Sequence, residues 1–204
     1  MKDFTPNEIE VAKKIISAGL VKAAESLSFF MNETITLKDV DDVANIDQPP
    51  LELGKRGQEN IHLLTTKVIG ELKGVCCLIF SEVEADDLRK AALPQEVLDS
   101  PEMMAEMSDG IMLEVDNIIS ASVITQFSNL LKVKIHGGIP HLKKVSFDEM
   151  NNFLNDEIAQ ELYSISFKTC FESSKVNFNP EFVWLFDKAF IDCIKNYSLI
   201  QEQK

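Results

Sequence analysis

Residues 109–137, DGIMLEVDNIISASVITQFSNLLKVKIHG, read as a long helix running into a short strand. Ile111, Val115, Ile118, Ile119, Phe127, Leu130 and Leu131 recur at three- and four-residue steps, which gives an apolar stripe that packs inward. One hundred residues earlier, residues 9–37, IEVAKKIISAGLVKAAESLSFFMNETITL, repeat that layout without a gap. There Ile9, Ala12, Ile15, Ile16, Leu20, Ala23, Ala24 and Leu27 form the stripe. The strands that follow are expected at 34–37 and 133–136.

The two segments match in layout and differ in chemistry. Overlaid at this offset, Lys14 falls on Glu114, Ser17 on Asn117 and Val40 on Pro140. Glu114 and Asn117 lie three apart, so they are neighbours on one helical face. That face, with Ala121 and Ser128, lies away from the stripe. Many such pairs are merely solvated, and it is the repeated frame that singles this one out.

Composition bounds the function. The chain has 204 residues, 45% hydrophobic and 26% charged, as in ordinary globular proteins. Its 33 acidic against 20 basic residues give a formal charge of −13, which disfavours nucleic acid and anionic lipid as partners. The start, MKDFTPNEIEVAKK, has no signal-like apolar core, and no run approaches a membrane span. A cytoplasmic protein is therefore expected. Cys76, Cys77, Cys170 and Cys193 sit in apolar segments without metal-like spacing and are expected as buried thiols. His136 and His141 flank a turn without an obvious third ligand, and His62 sits in a strand-like run, so no metal is assigned.

After the first helix and strand, a polar stretch with Pro49, Pro50, Gly54 and Gly57 reads as a loop. Strands are expected at 61–69 and 72–80 as a hairpin around Gly70 and Glu71, then a helix from about Glu84 stopped by Pro94. The second half repeats the order, with strands at 162–169 and 174–178 and a closing helix opened by Pro180 and carrying Phe182, Leu185, Phe186 and Phe190. Each half has too few strands to cover its own helices. The expected fold is thus a single α/β domain of two homologous halves, about 1–98 and 99–204. A pseudo-two-fold axis would relate them across one largely antiparallel sheet with the long helices on a face.

With Glu114, Asn117 and Pro140 at these spacings, the chain resembles the CheC, CheX and FliY family of bacterial chemotaxis phosphatases. The family motif is Asp or Ser, three residues, Glu, two residues, Asn, twenty-two residues and Pro. The resemblance spans nearly the whole chain and includes Glu71-Leu72-Lys73-Gly74 before VCCLIF. Length points to CheC within the family. Two departures stand out: Gly110 occupies the first motif position, with Asp109 one residue early, and the family's EIGNIG pattern is replaced by KIISAG and EVDNII.

The resemblance implies hydrolysis of the aspartyl phosphate on a CheY-type response regulator in two-component signalling. The regulator brings its own magnesium ion and lysine, and the phosphatase needs no cofactor of its own. Asn117 would orient the attacking water, Glu114 would pair with the regulator's lysine, and Pro140 and Asp109 would support the site. Lys14, Ser17 and Val40 would mark a degenerate first site. The alternative is a non-catalytic module that binds a response regulator or a CheD-type deamidase. A third reading is a homodimeric scaffold using Phe29, Phe30 and Met31.

Overall fold

The computed structural model describes residues 5–40, 44–45, 60–158 and 163–202. The loop expected around Pro49 to Gly57 lies outside the described residues.

Two long helices dominate, α1 (Pro6–Phe30) and α4 (Pro101–Leu131), each with proline in its first turn, where a missing N–H costs nothing. Thr5 caps α1 in a reciprocal box with Glu8, and Ser100 caps α4 through Met103 N. Both helices end alike. Asn32 (φ 49°) and Lys132 (φ 59°) are the non-glycine residues with left-handed backbone among the described residues, and they are one hundred apart. Just before them, Ser28 Oγ accepts from Ile35 N at 2.9 Å and Ser128 Oγ donates to Val133 O at 2.6 Å, which sets the turn into each strand.

The helices pack against each other closely at Gly19, where an added Cβ would lie 2.6 Å from Val123 Cα. Their buried stripes are Val11, Ala12, Ile15, Ile16, Leu20, Ala23, Ala24 and Leu27 in α1, and Met112, Val115, Ile119, Val123, Ile124 and Phe127 in α4. Ile118 and the terminal leucines Leu130 and Leu131 are half-buried against this core.

The sheet interleaves the halves. Its strands are β1 (Thr36–Val40), β2 (Ala44–Asn45), β3 (Ile61–Gly70), β4 (Gly74–Ser81), β5 (Ile135–Gly137), β6 (His141–Val145), β7 (Tyr163–Glu172), β8 (Asn177–Phe178) and β9 (Glu181–Phe186). The order is β1-β7-β9-β4-β3-β5, with β2 and β8 also on β7 and β6 also on β3, all antiparallel. The short strands after α1 thus pair with the second half, and those after α4 with the first. At the centre β4 meets β9, Gly74 opposite Phe186 and Ile79 opposite Glu181. The fold is α/β, with a pseudo-two-fold duplicated order of elements about this seam.

Alternation along the central strands explains why VCCLIF is apolar throughout. Cys76, Leu78 and Phe80 join the core under α1, α4, α2 (Glu82–Ala92) and α6 (Lys188–Glu202), while Val75, Cys77 and Ile79 face α5 (Phe147–Ile158). Burial pushes the Cys76 and Cys77 thiols well up, so both stay protonated. A short helix, α3 (Gln95–Leu98), links α2 to α4.

Sequence and structure part at three places. The segment opened by Pro180 is strand β9, all six residues buried, and not a helix. A short apolar run fits either element, and the Phe-Val-Trp content with burial on both faces decides for the strand. The closing helix begins at Lys188, capped by Asp187 Oδ1 accepting from Phe190 N at 3.1 Å. The strand expected at 174–178 shrinks to Asn177–Phe178, and β6 and α5 fill a stretch for which no element was expected.

On β3, buried His62 accepts at Nδ1 from Arg89 of α2 (3.3 Å) and donates through Nε2 to Glu82 (3.0 Å), which ties α2 to the sheet. Burial chiefly holds the imidazole below its ordinary pKa, so it stays neutral. Among the described residues no helix is long and apolar enough to cross a membrane.

Candidate functional site

The helical period turns Glu114 and Asn117 outward, and both are exposed one turn apart on α4, while Phe127 is buried. They form one wall of a groove of about 730 Å³, with Gly110 and Leu113. The opposite wall is the segment from His136 through Pro140 to His141, and Lys67 and Ile69 of β3 line it between them. Glu114, Asn117 and Pro140 therefore meet around one space.

Two devices bring the loop to the helix. Gly138 N donates to Lys67 O at 2.8 Å, which pins the loop to β3. A Cβ on Gly137 would lie 3.2 Å from Thr66 Cγ2 and 3.4 Å from Ile124 Cδ1, so glycine lets the chain run tight beside the helix. Pro140 then restricts the backbone where the loop turns into β6.

Beneath the site sits a group that the sequence reading did not single out. Asp116, next to Asn117, is fully buried and accepts from Thr66 Oγ1 at 2.6 Å and Ser120 Oγ at 3.0 Å. Burial outweighs both hydrogen bonds and raises its pKa to about 6. The pair joins α4 to β3 directly below the groove. Its position on the inward stripe between Met112 and Ser120 was the available signal.

The polar groups of the groove are uncommitted. Among the described residues, the side chains of Lys67, Glu114, Asn117, His136 and His141 make no hydrogen bond or ion pair. Elsewhere exposed charges pair readily, as in Lys22 with Glu25 at 2.8 Å or Lys188 with Asp192 at 2.7 Å. An exposed carboxylate and amide on one face, beside a lysine and two imidazoles, can engage a partner without first breaking internal contacts.

Asp109 lies outside the groove lining, exposed, 3.8 Å from Lys144 of β6. Gly110 lines the groove, and a Cβ there would meet nothing within 4 Å. On the first half, Lys14 is exposed and pairs with Glu10 at 3.8 Å, and Ser17 and Val40 are half-buried. Of the scaffold residues Phe29 is 90% exposed, Phe30 half-buried and Met31 buried, so they form no common surface. No three His, Cys, Asp or Glu side chains cluster as a metal site among the described residues.

The sequence matches no protein-family model and no curated protein. Solved structures do match. Thermotoga maritima FliY superposes with a TM-score of 0.70 at 15% identity, over 96% of this chain and 98% of that one. The FliM middle domain from Vibrio alginolyticus gives 0.56 at 11% identity, over 93% and 99%. A CheX–CheY–BeF3–Mg2+ complex from Borrelia burgdorferi gives 0.51 at 14% identity, over 85% and 97%. The chain has the CheC/CheX/FliY-type fold, shared with the FliM middle domain. Within that fold it is similar over 85% to 96% of its length to these FliY, FliM and CheX structures.

Proposed function

We propose that this protein is a CheC-like phosphatase that hydrolyses the aspartyl phosphate of a CheY-type response regulator, using the groove of its second half. The observation that carries the reading is the meeting of exposed, uncommitted Glu114 and Asn117 with Pro140 around one space. The related CheX structure, captured with CheY, BeF3 and Mg2+, supports a partner of this kind.

An acyl phosphate is already reactive, so the phosphatase has little covalent chemistry to perform. The regulator's magnesium ion and lysine stabilise the phosphoryl group. Asn117 accepts a hydrogen bond from water and donates to a phosphoryl oxygen, which holds the water in line for attack. Glu114 pairs with the regulator's lysine and sets the docking angle. Pro140 shapes the facing loop, and Asp109 steadies the edge through Lys144. In this reading Lys14, Ser17 and Val40 mark the inactive counterpart. The chain is then one domain of two homologous halves, about 1–98 and 99–204, working in the cytoplasm.

A second reading is a binding module that holds a response regulator or a CheD-type deamidase without hydrolysis. Gly110 at the first motif position and the FliM-like architecture favour it. The test is decay of acyl phosphate on a panel of phosphorylated receivers with magnesium, with and without the protein. Faster decay supports the phosphatase, and complex formation with unchanged decay supports the module.

A further inference from the structure

We infer that the strand side of the groove, Lys67 with the basic segment 132–144, recognises an acidic protein surface, and that Lys67 is its central positioning residue. The inference rests on the regulator reading above and specifies how that partner is held. Residues 132–144 contain Lys132, Lys134, Lys143, Lys144, His136 and His141 and no acidic residue. One hundred residues earlier, residues 32–44 contain Lys38 alone against Glu33, Asp39, Asp41 and Asp42. The basic character therefore appears only on the half that carries Glu114 and Asn117.

In a chain of formal charge −13, an acidic partner meets repulsion at long range unless one surface offsets it locally. The lysines and histidines of 132–144 are all exposed, as is Lys67. The acids that face this region are few. Glu114 lies in the groove, Asp109 reaches Lys144, and Glu71 accepts from the backbone N–H of Lys134. Lys143 lies over the Phe153 ring, 5.8 Å from its centroid. Lys67 stands apart among these lysines in lining the groove itself with no ion pair, and so remains available for a carboxylate of a docked protein. A receiver whose carboxylates hold magnesium beside an acyl phosphate presents such a surface.

The experiment measures affinity for a CheY receiver loaded with beryllofluoride and magnesium, using wild type, Lys67→Ala, Lys67→Glu and Lys38→Glu. Lys38, 2.6 Å from Glu172, sits on β1 at the other end of the sheet, so its reversal applies the same charge change away from the groove. Lys67→Ala should weaken binding about tenfold, and Lys67→Glu more, with Lys38→Glu near wild type. Wild-type affinity should fall with added salt more steeply than that of Lys67→Ala. Turnover at saturating phosphorylated receiver should stay within about twofold for Lys67→Ala, because the residue acts on docking rather than on the water. Tight binding by Lys67→Glu, equal losses in Lys67→Glu and Lys38→Glu, no binding of the receiver by wild type, or equally tight binding of an oligonucleotide would each overturn the inference. Absence of turnover with Lys67-dependent binding would instead refute the phosphatase reading and leave this inference standing.

Discussion

Replacing Asp116 with Asn should stabilise the protein in mildly alkaline solution and change little in acid. The carboxylate is buried, and its pKa rises from 3.8 to about 6 in spite of hydrogen bonds from Thr66 and Ser120. At about 1.4 kcal/mol per tenfold change in proton affinity, that rise corresponds to about 3 kcal/mol. The sign follows from the raised folded-state value. The contribution of Asp116 to stability is complete below the unfolded value and is lost as pH rises through about 6. Asn cannot ionise, its Oδ1 accepts from one hydroxyl, and its Nδ2 donates to the other. The stability gap between variant and wild type should therefore grow from under about 1 kcal/mol near pH 4 to about 3 kcal/mol near pH 8. In melting temperature the upper figure is about 6 to 12 °C. Urea unfolding followed by circular dichroism at both pH values measures the gap. A gap independent of pH, or a variant less stable than wild type in alkali, would refute the reasoning.

Three further outcomes are expected. Gly19→Ala should destabilise by about 1–3 kcal/mol because the new methyl meets Val123 backbone at 2.6 Å. The same change at Gly110, where nothing lies within 4 Å, should stabilise α4 by about 0.5–1 kcal/mol, and thermal melts of the two variants give the comparison. Phe127→Ala should cost about 3–5 kcal/mol in urea unfolding, since its ring is buried against Trp184, Phe186 and Phe190.

Much of this architecture is legible in the chain because local periodicity survives into the fold. The three- and four-residue spacing of Ile16, Leu20, Ala23 and Leu27, and of Val115 with Ile118 and Ile119, fixes both long helices and the outward face of Glu114 and Asn117. The hairpin at Gly70 and Glu71 is equally local. Strand β9 is not, because Phe182, Val183, Trp184 and Leu185 are buried on both sides and show no period that separates strand from helix. The groove's strand side is non-local as well. Lys67 faces His136 and Pro140 only because the strands after α4 pair with β3 of the other half, an exchange that no short-range pattern records. Asp116 is illegible for a simpler reason: a carboxylate on a helix reads as solvated, and its partner Thr66 lies fifty residues away in sequence.

In the proposed function, Asn117 positions the attacking water. The most direct test is the decay rate of a phosphorylated CheY-type receiver, with magnesium, in the presence of wild type, Asn117→Ala or Ser17→Ala at matched concentration. An exposed substitution of this kind should alter stability by about 0.5 kcal/mol or less, so a change in rate reports chemistry. Wild type and Ser17→Ala should accelerate the decay, and Asn117→Ala should give almost no acceleration. Undiminished acceleration by Asn117→Ala, or equal decay with and without wild type, would contradict it.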